Sequence, residues 1–550
     1  VEYRRRLGIA PARKLAFALR SAFTIVVEYR RRFGIFSGKH VSLSTTHTCH
    51  YICVSHELYN MAAAQILKIT FADIRTVLLI CYALVIVTTI VVIIRDRRDP
   101  VKGLSWIMVV TLIPIVGIIM YVLFGRNHRK LKIFNQKEIE DLKHIEKLCS
   151  EQLLDLVDPE IQHIDSVESN KDIITLLLNN NKSVLTVRNK VTILNNGKAK
   201  FKELFKAIEE ARSSIHLEYY IFENDRIGKR VLNLLEKKAG EGVEVRLIVD
   251  DLGSWGIKNR HIKRIRKVGI DIRQFMPVAF PYLSGKINYR NHRKIAVMDG
   301  RVGFTGGINI AERYLKGTKF GPWRDTHLRI EGDAVNMMQA IFATDWYFVA
   351  DKELLFDDKY YPKTKIRTRS PIQIASSGPD SDWASIMQAY FAAMNKAKKS
   401  IYITTPYFMP NQSILTALKV AALSGVDVRI IMPYKSDSKI VYWASRSYIS
   451  ELLDAGIKVY FFQKGFCHSK LIIIDGTFCS VGSANMDYRS FEENFEVAAV
   501  MYDPRVATEL TEYFMQDIEN SVLITDEMWE NRSNLHAMYE SLSRLFSPLL

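Results

Sequence analysis

Residues 292–309 read HRKIAVMDGRVGFTGGIN, and residues 468–485 read HSKLIIIDGTFCSVGSAN. Both fit H-x-K-x4-D-x6-G-[GS]-x-N, with a constant offset of 176 between the copies. The first supplies His292, Lys294, Asp299 and Asn309; the second supplies His468, Lys470, Asp475 and Asn485. The apolar run after each lysine does not alternate, as expected of a strand buried on both faces. On such a strand the histidine and lysine of H-x-K are two apart and share a face, so both can address one phosphate. Gly-[GS]-x-N after the turn lets backbone come close and brings an amide side chain towards the same anion.

The repeat extends upstream. SIHLEYYIF at 214–222 matches SIYITTPYF at 400–408, and GVEVRLI at 242–248 matches GVDVRII at 425–431. Each GV-initiated piece is a β-branched run after a helical stretch, the pattern of a strand in a βαβ unit. The fold class expected is α/β, with two similar domains at residues 186–365 and 366–550, the second ending in a helical tail. Tyr219, Tyr220, Tyr407 and Phe408 fall on these strands and read as core or pocket wall. Cys467 beside His468 reads as a small packing residue.

The residue types define a chemistry. A phosphodiester attacked by a neutral nucleophile needs its developing charge stabilised and its leaving alkoxide protonated. Lys294, Lys470, Asn309 and Asn485 serve the first need. His292 and His468 divide the second, one attacking phosphorus and the other donating the proton. H-x-K is not metal-ligand spacing, and neither a metal nor a cofactor is called for. Asp299 and Asp475, placed with the catalytic set, either share in proton transfer or hold strand and turn by hydrogen bonds.

These motifs resemble those of the phospholipase D superfamily, whose paired H-x-K-x4-D repeats meet at one active site between two similar domains packed as a pseudo-dimer. The resemblance covers roughly residues 186–520. It implies a phosphohistidine on His292, with His468 as general acid and then base. It also implies an acidic residue downstream of each repeat that orients its histidine, here Asp325 and Glu496.

The chain has 550 residues, too many for one ordinary domain, and a hydrophobic share of 48% that argues against disorder. Lys and Arg number 76 against 59 Asp and Glu, and a formal charge of +17 invites a polyanionic partner. Ten Lys/Arg against three Glu fall in residues 1–60. That segment repeats VEYRRRLGI at 1–9 as VEYRRRFGI at 27–35 and lacks Met before Met61, so it reads as an extension upstream of the natural start, the rival reading being a basic membrane-surface leader. His47, Cys49, His50, Cys53 and His56 crowd together there without a standard zinc spacing. The six cysteines form no dense framework, which points to reduced thiols.

Residues 76–94 and 103–125 are uncharged and apolar, each long enough to cross a bilayer, and predict a transmembrane hairpin within residues 61–130. Lys68 and Arg75 before it, with Arg126, Arg129, Lys130, Lys132 and Lys137 after it, outnumber Arg95, Arg97, Arg98 and Lys102 in its loop. The balance favours cytoplasmic termini and cytoplasmic catalytic domains. Residues 131–185 are expected to form a helical connector, with Ile139, Leu142, Ile145 and Leu148 at threefold spacing.

The segment RRDPVKGLSWIMVVTLIPIVGIIMYVLFGR at 97–126 and the ending RLFSPLL at 544–550 are similar to those of bacterial cardiolipin synthases. This resemblance implies a multi-pass enzyme of the bacterial plasma membrane. It would transfer a phosphatidyl group between two phosphatidylglycerols in an anionic bilayer, giving cardiolipin and glycerol. Nucleic acid is not the partner expected. A hydrolytic phospholipase D, another phosphatidyltransferase, a membrane-tethered nuclease and a non-enzymatic lipid-binding scaffold are the alternatives.

Overall fold

A computed structural model describes residues 45–95, 100–121, 164–257, 259–277, 289–350, 355, 357–363 and 365–549. The repeated nonapeptide at 1–9 and 27–35 and the threefold pattern at 139–148 lie outside the described residues. The chain divides into two compact units, 1–85 and 86–550. The described part of the first is helical, belonging to the helix Thr45–Arg95.

Within that helix Ile74–Arg95 is 22 residues long and apolar enough to cross a membrane. Most of its large apolar side chains, among them Leu78, Leu84 and Ile94, are exposed. A stretch of this length and exposure fits a lipid surround. The second expected span is not one uninterrupted helix. It forms Pro100–Leu112 and Pro114–Met120, because Pro114 has no N–H to continue the ladder and its ring crowds the turn behind it. Within the second unit Ile93, Trp106, Val109, Val110 and Tyr121 close a small core on which Leu549 of the C-terminus rests.

The sheet strands are β1 Thr186–Asn196, β2 Ser214–Tyr219, β3 Glu244–Asp250, β4 Ile270–Phe275, β5 Lys294–Met298, β6 Val302–Gly306 and β7 Trp323–Gly332 in the first repeat. The second repeat has β8 Arg369–Ser377, β9 Ser400–Thr404, β10 Phe408–Met409, β11 Asp427–Pro433, β12 Lys458–Phe462, β13 Phe466–Cys467 and β14 Leu471–Ile474. It continues through β15 Phe478–Gly482, β16 Met486–Asp487, β17 Glu496–Met501 and β18 Ser521–Leu523. One sheet runs β18-β12-β11-β9-β14-β15-β17-β8-β1-β7-β6-β5-β2-β3-β4, and β13 adds to β7. Read from either edge the order is the same two-fold pattern, with β18 as the surplus strand and the antiparallel β1/β8 pair as the seam.

The two α/β repeats therefore share one continuous sheet. The outer face of each half has its own core, Leu217, Ala296 and Phe304 in the first and Ile403, Ile472 and Val500 in the second. The inner faces pool theirs: Ile295, Val297 and Leu328 lie in one cluster with Leu471, Ile473 and Val497. Such a shared apolar layer makes the repeats one folding unit.

The end of the expected connector belongs to the second repeat. Helix Lys171–Asn181 buries Ile173, Ile174, Leu177 and Leu178 against Ile386, Ala389 and Ala393. Gln373 Nε2 on β8 ties it down by donating to the carbonyls of Ile174 and Ser183 at 3.1 and 2.6 Å. Among the described residues Cys81, Cys467 and Cys479 are free thiols.

Candidate active site

Both H-x-K segments enter their strands from the seam of the pseudo-dimer. The Phe495 carbonyl, from the second repeat, accepts the His292 N–H at 2.9 Å. The Arg324 carbonyl, from the first, accepts the His468 N–H at 2.7 Å, and β13 pairs in parallel with β7 alongside. The residue that follows each of those carbonyls is an acid. Glu496 Oε1 thus comes within 3.1 Å of His292 Nδ1, and Asp325 Oδ2 within 2.9 Å of His468 Nδ1. The His468 contact has the better hydrogen-bond alignment.

Each orienting carboxylate is therefore supplied by the opposite repeat. The expectation that each histidine is served by the acid downstream in its own repeat is corrected. The reason is the backbone pairing across the seam, which puts β17 behind His292 and β7 behind His468. A carboxylate on Nδ1 leaves Nε2 as the nitrogen free to react.

The residue between His and Lys also bridges the repeats. Arg293 is buried, pairs with Asp345 and donates from Nε to the Glu496 carbonyl at 3.2 Å. Its counterpart Ser469 donates to Thr326 Oγ1 at 2.7 Å.

His292 and His468 line a single cavity of about 590 Å³ together with Lys294, Asn309 and Asn485. Lys470 Nζ stands 2.8 and 3.1 Å from the two ring nitrogens of His468 and donates to its carbonyl at 2.6 Å. Burial lowers the His292 pKa to about 4; Lys294 and Lys470 push the same way, and Glu496 opposes them. Burial and the neighbouring Lys470 lower His468 as well, against Asp325. Burial thus favours the neutral form of both imidazoles. An incoming phosphodiester anion would raise the affinity of either for a proton.

Burial also brings Lys294 and Lys470 down to about 8, with Glu496 and Asp325 respectively pulling them back up. Burial works against ionisation of Glu496, yet His292, Lys294 and the Ser483 hydroxyl hold its pKa below the ordinary value.

Asp299 and Asp475 are outside this cavity. Each ends its strand at positive φ, 54° and 52°. Asp299 accepts the backbone N–H groups of Arg212, Ser213 and Ser214 at 2.7 to 3.2 Å. Asp475 accepts those of Lys398, Lys399 and Ser400 at 2.8 to 2.9 Å. Five residues of extended chain, roughly 16 Å, separate each from its lysine's end of the motif. The alternative of a direct proton-transfer role is corrected in favour of holding the turn.

Asn309 and Asn485 line the wall, but Asn309 is committed to protein partners. Its Oδ1 accepts from Ile221 N at 3.0 Å and its Nδ2 donates to the Tyr314 hydroxyl at 2.6 Å. The expectation of an amide aimed at the anion is revised for Asn309 accordingly. The second residue of each Gly-[GS] pair faces an orienting acid, while Gly306 and Gly482 pack against backbone. A Cβ on Gly307 would meet Asp325 Oδ1 at 1.9 Å, whereas Ser483 at the equivalent position donates to Glu496.

Sequence reading missed several wall residues. Arg313 and Arg489 lie four positions after Asn309 and Asn485, and both line the cavity; carrying the repeat four residues further would have found them. Arg290 and Asp437 line it too, as does Tyr220, which the sequence places in core or pocket wall. Tyr220 packs against His292 in a tilted arrangement at 4.2 Å between ring centroids, while Trp323 and Phe466 lie 5.1 and 5.8 Å from His468. Tyr219 and Phe408 are buried core, and Tyr407 lines the cavity. Cys467 is fully buried and its thiol is pushed up to about 12, as befits packing.

Comparison with known proteins sets this geometry in a family. The cardiolipin synthase, PLD-like domain family matches residues 204–346 and 390–518, and the Phospholipase D-nuclease N-terminal family matches residues 83–126. The cardiolipin synthase of Alkalihalophilus pseudofirmus is 41% identical over 463 residues, covering 84% of this chain and 91% of the relative. The chain belongs to the phospholipase D-like cardiolipin synthase family.

Cardiolipin synthase 2 of Staphylococcus epidermidis is likewise 41% identical, over 87% of this chain and 98% of its own length. As a member of the cardiolipin synthase family the chain is an enzyme of the phosphatidyltransferase class and is associated with membranes. Phosphatidylserine synthase of Haemophilus influenzae aligns at a TM-score of 0.53 and 12% identity over 69% of this chain and 100% of that one, a likeness of fold.

Proposed function

We propose that this enzyme makes cardiolipin by transferring a phosphatidyl group from one phosphatidylglycerol to a second, with release of glycerol. The observation that carries the reading is the convergence of two imidazoles and Lys294 on one cavity, with Lys470 against the His468 ring and each imidazole backed by a buried carboxylate. His468 takes up a proton from solvent as the phosphodiester anion binds; His292 Nε2 then attacks phosphorus, the bond to the glycerol oxygen breaks, and protonated His468 gives that oxygen its proton. The second phosphatidylglycerol then gives a hydroxyl proton to His468 as its oxygen attacks phosphorus and the bond to His292 breaks. Lys294 and Lys470 stabilise the charge on the non-bridging oxygens throughout. One phosphodiester replaces another, so the exchange needs no nucleotide.

The membrane part supports a lipid substrate. The C-terminal turn Ser547–Leu549 touches both the apolar helix Pro100–Leu112 and helix Tyr488–Glu492, which carries Arg489 of the cavity wall. The cavity rim thus stands beside the apolar segment, where anionic headgroups are concentrated. We place the hairpin in the bacterial plasma membrane as a multi-pass anchor with the catalytic repeats on the cytoplasmic side. Mass spectrometry of products from purified protein in phosphatidylglycerol liposomes tests the reading. Cardiolipin and free glycerol in equal amounts support it, and phosphatidic acid in their place would make the enzyme a hydrolase.

A further inference from the structure

The two ends of the cavity differ although equivalent repeats build them. At the His292 end stand Arg290 and Arg489. Arg290, 1% exposed, lies 3.6 Å from Asp250. In the second repeat the counterpart of Arg290 is Phe466, and that of Asp250 is Pro433. The His468 end is accordingly walled by the rings of Trp323, Phe466 and Tyr407.

Asp437 brings a carboxylate to that aromatic end of the cavity. The Tyr407 hydroxyl donates to its two oxygens at 2.9 and 2.8 Å, and Ser436 Oγ approaches at 3.4 Å. Asp437 is also near enough to favour protonation of His468. Its counterpart after β3 is Ser254, buried and bonded to the Tyr220 carbonyl and the Phe222 N–H, so the first repeat carries no acid at this position, and among the described residues the other carboxylate lining the cavity is Asp487.

In-line displacement requires the leaving group and the acceptor to occupy the side of phosphorus opposite the attacking imidazole. With His292 attacking, that side is the His468 end. An exposed carboxylate beside an aromatic wall accepts hydrogen bonds from adjacent hydroxyls, and the rings cover the carbon skeleton. It would also suit an ammonium group. Two features favour the polyol: the Tyr407 hydroxyl already takes up part of the Asp437 charge, and the Arg313 guanidinium lining the same cavity repels a second cation.

We propose that Asp437, held by Tyr407, is a specificity-determining residue that accepts hydrogen bonds from the glycerol hydroxyls of the departing and incoming headgroups. The proposal rests on the phosphatidylglycerol reading and deepens it. It makes glycerol a better acceptor than an alcohol with a single hydroxyl.

The full-length protein in phosphatidylglycerol liposomes is supplied with equal concentrations of isotopically labelled glycerol, ethanol and ethanolamine, and the labelled phosphatidyl products are quantified together. The unaltered protein is expected to favour glycerol over ethanol. Asp437→Ala is expected to lower the glycerol-to-ethanol product ratio about tenfold or more, the loss of one charge-assisted hydrogen bond. Tyr407→Phe is expected to lower it less, and Asp437→Asn, which keeps an acceptor oxygen, to retain part of it. The ratio is internal to each sample, so a partly unfolded variant still reports it. An unchanged ratio in Asp437→Ala overturns the proposal, as does a preference for ethanolamine that disappears with the carboxylate. Absence of cardiolipin and of any phosphatidyl transfer with the unaltered protein overturns the functional reading, and this subsite with it.

Discussion

His292 and Glu496 belong to different repeats yet meet at 3.1 Å, imidazole Nδ1 to carboxylate Oε1. The contact follows from a backbone hydrogen bond next to it, His292 N–H to the Phe495 carbonyl at 2.9 Å. Neither half of the molecule holds a complete imidazole–carboxylate pair of its own.

Crossed pairing has a kinetic consequence. Glu496→Gln is expected to impair the step that His292 performs, and Asp325→Asn the steps that His468 performs. Each should cost roughly 10²-fold to 10⁴-fold in turnover, by loss of the tautomer that presents Nε2. Rapid-quench trapping of acid-labile phosphoprotein separates the two. Glu496→Gln should slow formation of the adduct, whereas Asp325→Asn should slow both its formation and its transfer to the acceptor; unimpaired rates of both steps in Asp325→Asn would contradict the assignment.

Removal of either imidazole should be more severe. His292→Ala and His468→Ala are each expected to lose at least about 10³-fold of cardiolipin formation, with folding intact by circular dichroism. Near-normal rates in both would exclude the double displacement.

The pH profile should be displaced from that of ordinary imidazole. His292 has its pKa depressed from 6.5 to about 4, so it stays unprotonated and able to attack through pH 5 to 6. Activity should fall only as the pH drops towards the value near 4. Lys294 and Lys470, at about 8, lose their charge above that pH and with it their hold on phosphate. Because His468 gains its proton as the phosphodiester binds, it is kcat, which reports the bound state, that is expected to be bell-shaped, with its plateau between the two limbs. An acidic limb at the unperturbed imidazole value would contradict the burial argument.

Asp299 should matter to stability and not to chemistry. Asp299→Ala removes the acceptor of three backbone N–H groups and strains a residue at φ 54°. A loss of about 2 to 3 kcal/mol is expected, measured in denaturant, with kcat close to normal in the folded fraction. A large fall in kcat without loss of stability would return Asp299 to the catalytic set.

Arg293→Ala should be among the most destabilising single changes at the seam. It takes the guanidinium away from the buried Asp345 carboxylate and from the Glu496 carbonyl. About 3 to 5 kcal/mol is expected, in the range for a broken buried pair, and thermal unfolding checks it.

The repeat carried a large share of the architecture. Residues 292–309 and 468–485 identify two α/β units and mark His292, Lys294, His468 and Lys470, because a strand buried on both faces leaves an apolar signature and H-x-K stands out from it. Spacing by itself was silent on Asp299, whose three amide partners lie 85 to 87 residues away in the chain. The apolar run at 103–125 read as one span, while Pro114 divides its described part into two helices. Helix Lys171–Asn181 read as a connector because nothing local says which core its Ile173, Ile174 and Leu177 face will enter.

Sequence alone determined the chemistry on offer: two imidazoles, two ammonium groups and two candidate acids, on strands whose local pattern is written in adjacent residues. Only the tertiary structure decided who serves whom. Partners at Nδ1, the neutral state of both rings and the unlike ends of the cavity arise from strands joined across the seam. Those contacts depend on distance in space and on exclusion of water, and neither quantity is encoded in the spacing of residues along one strand.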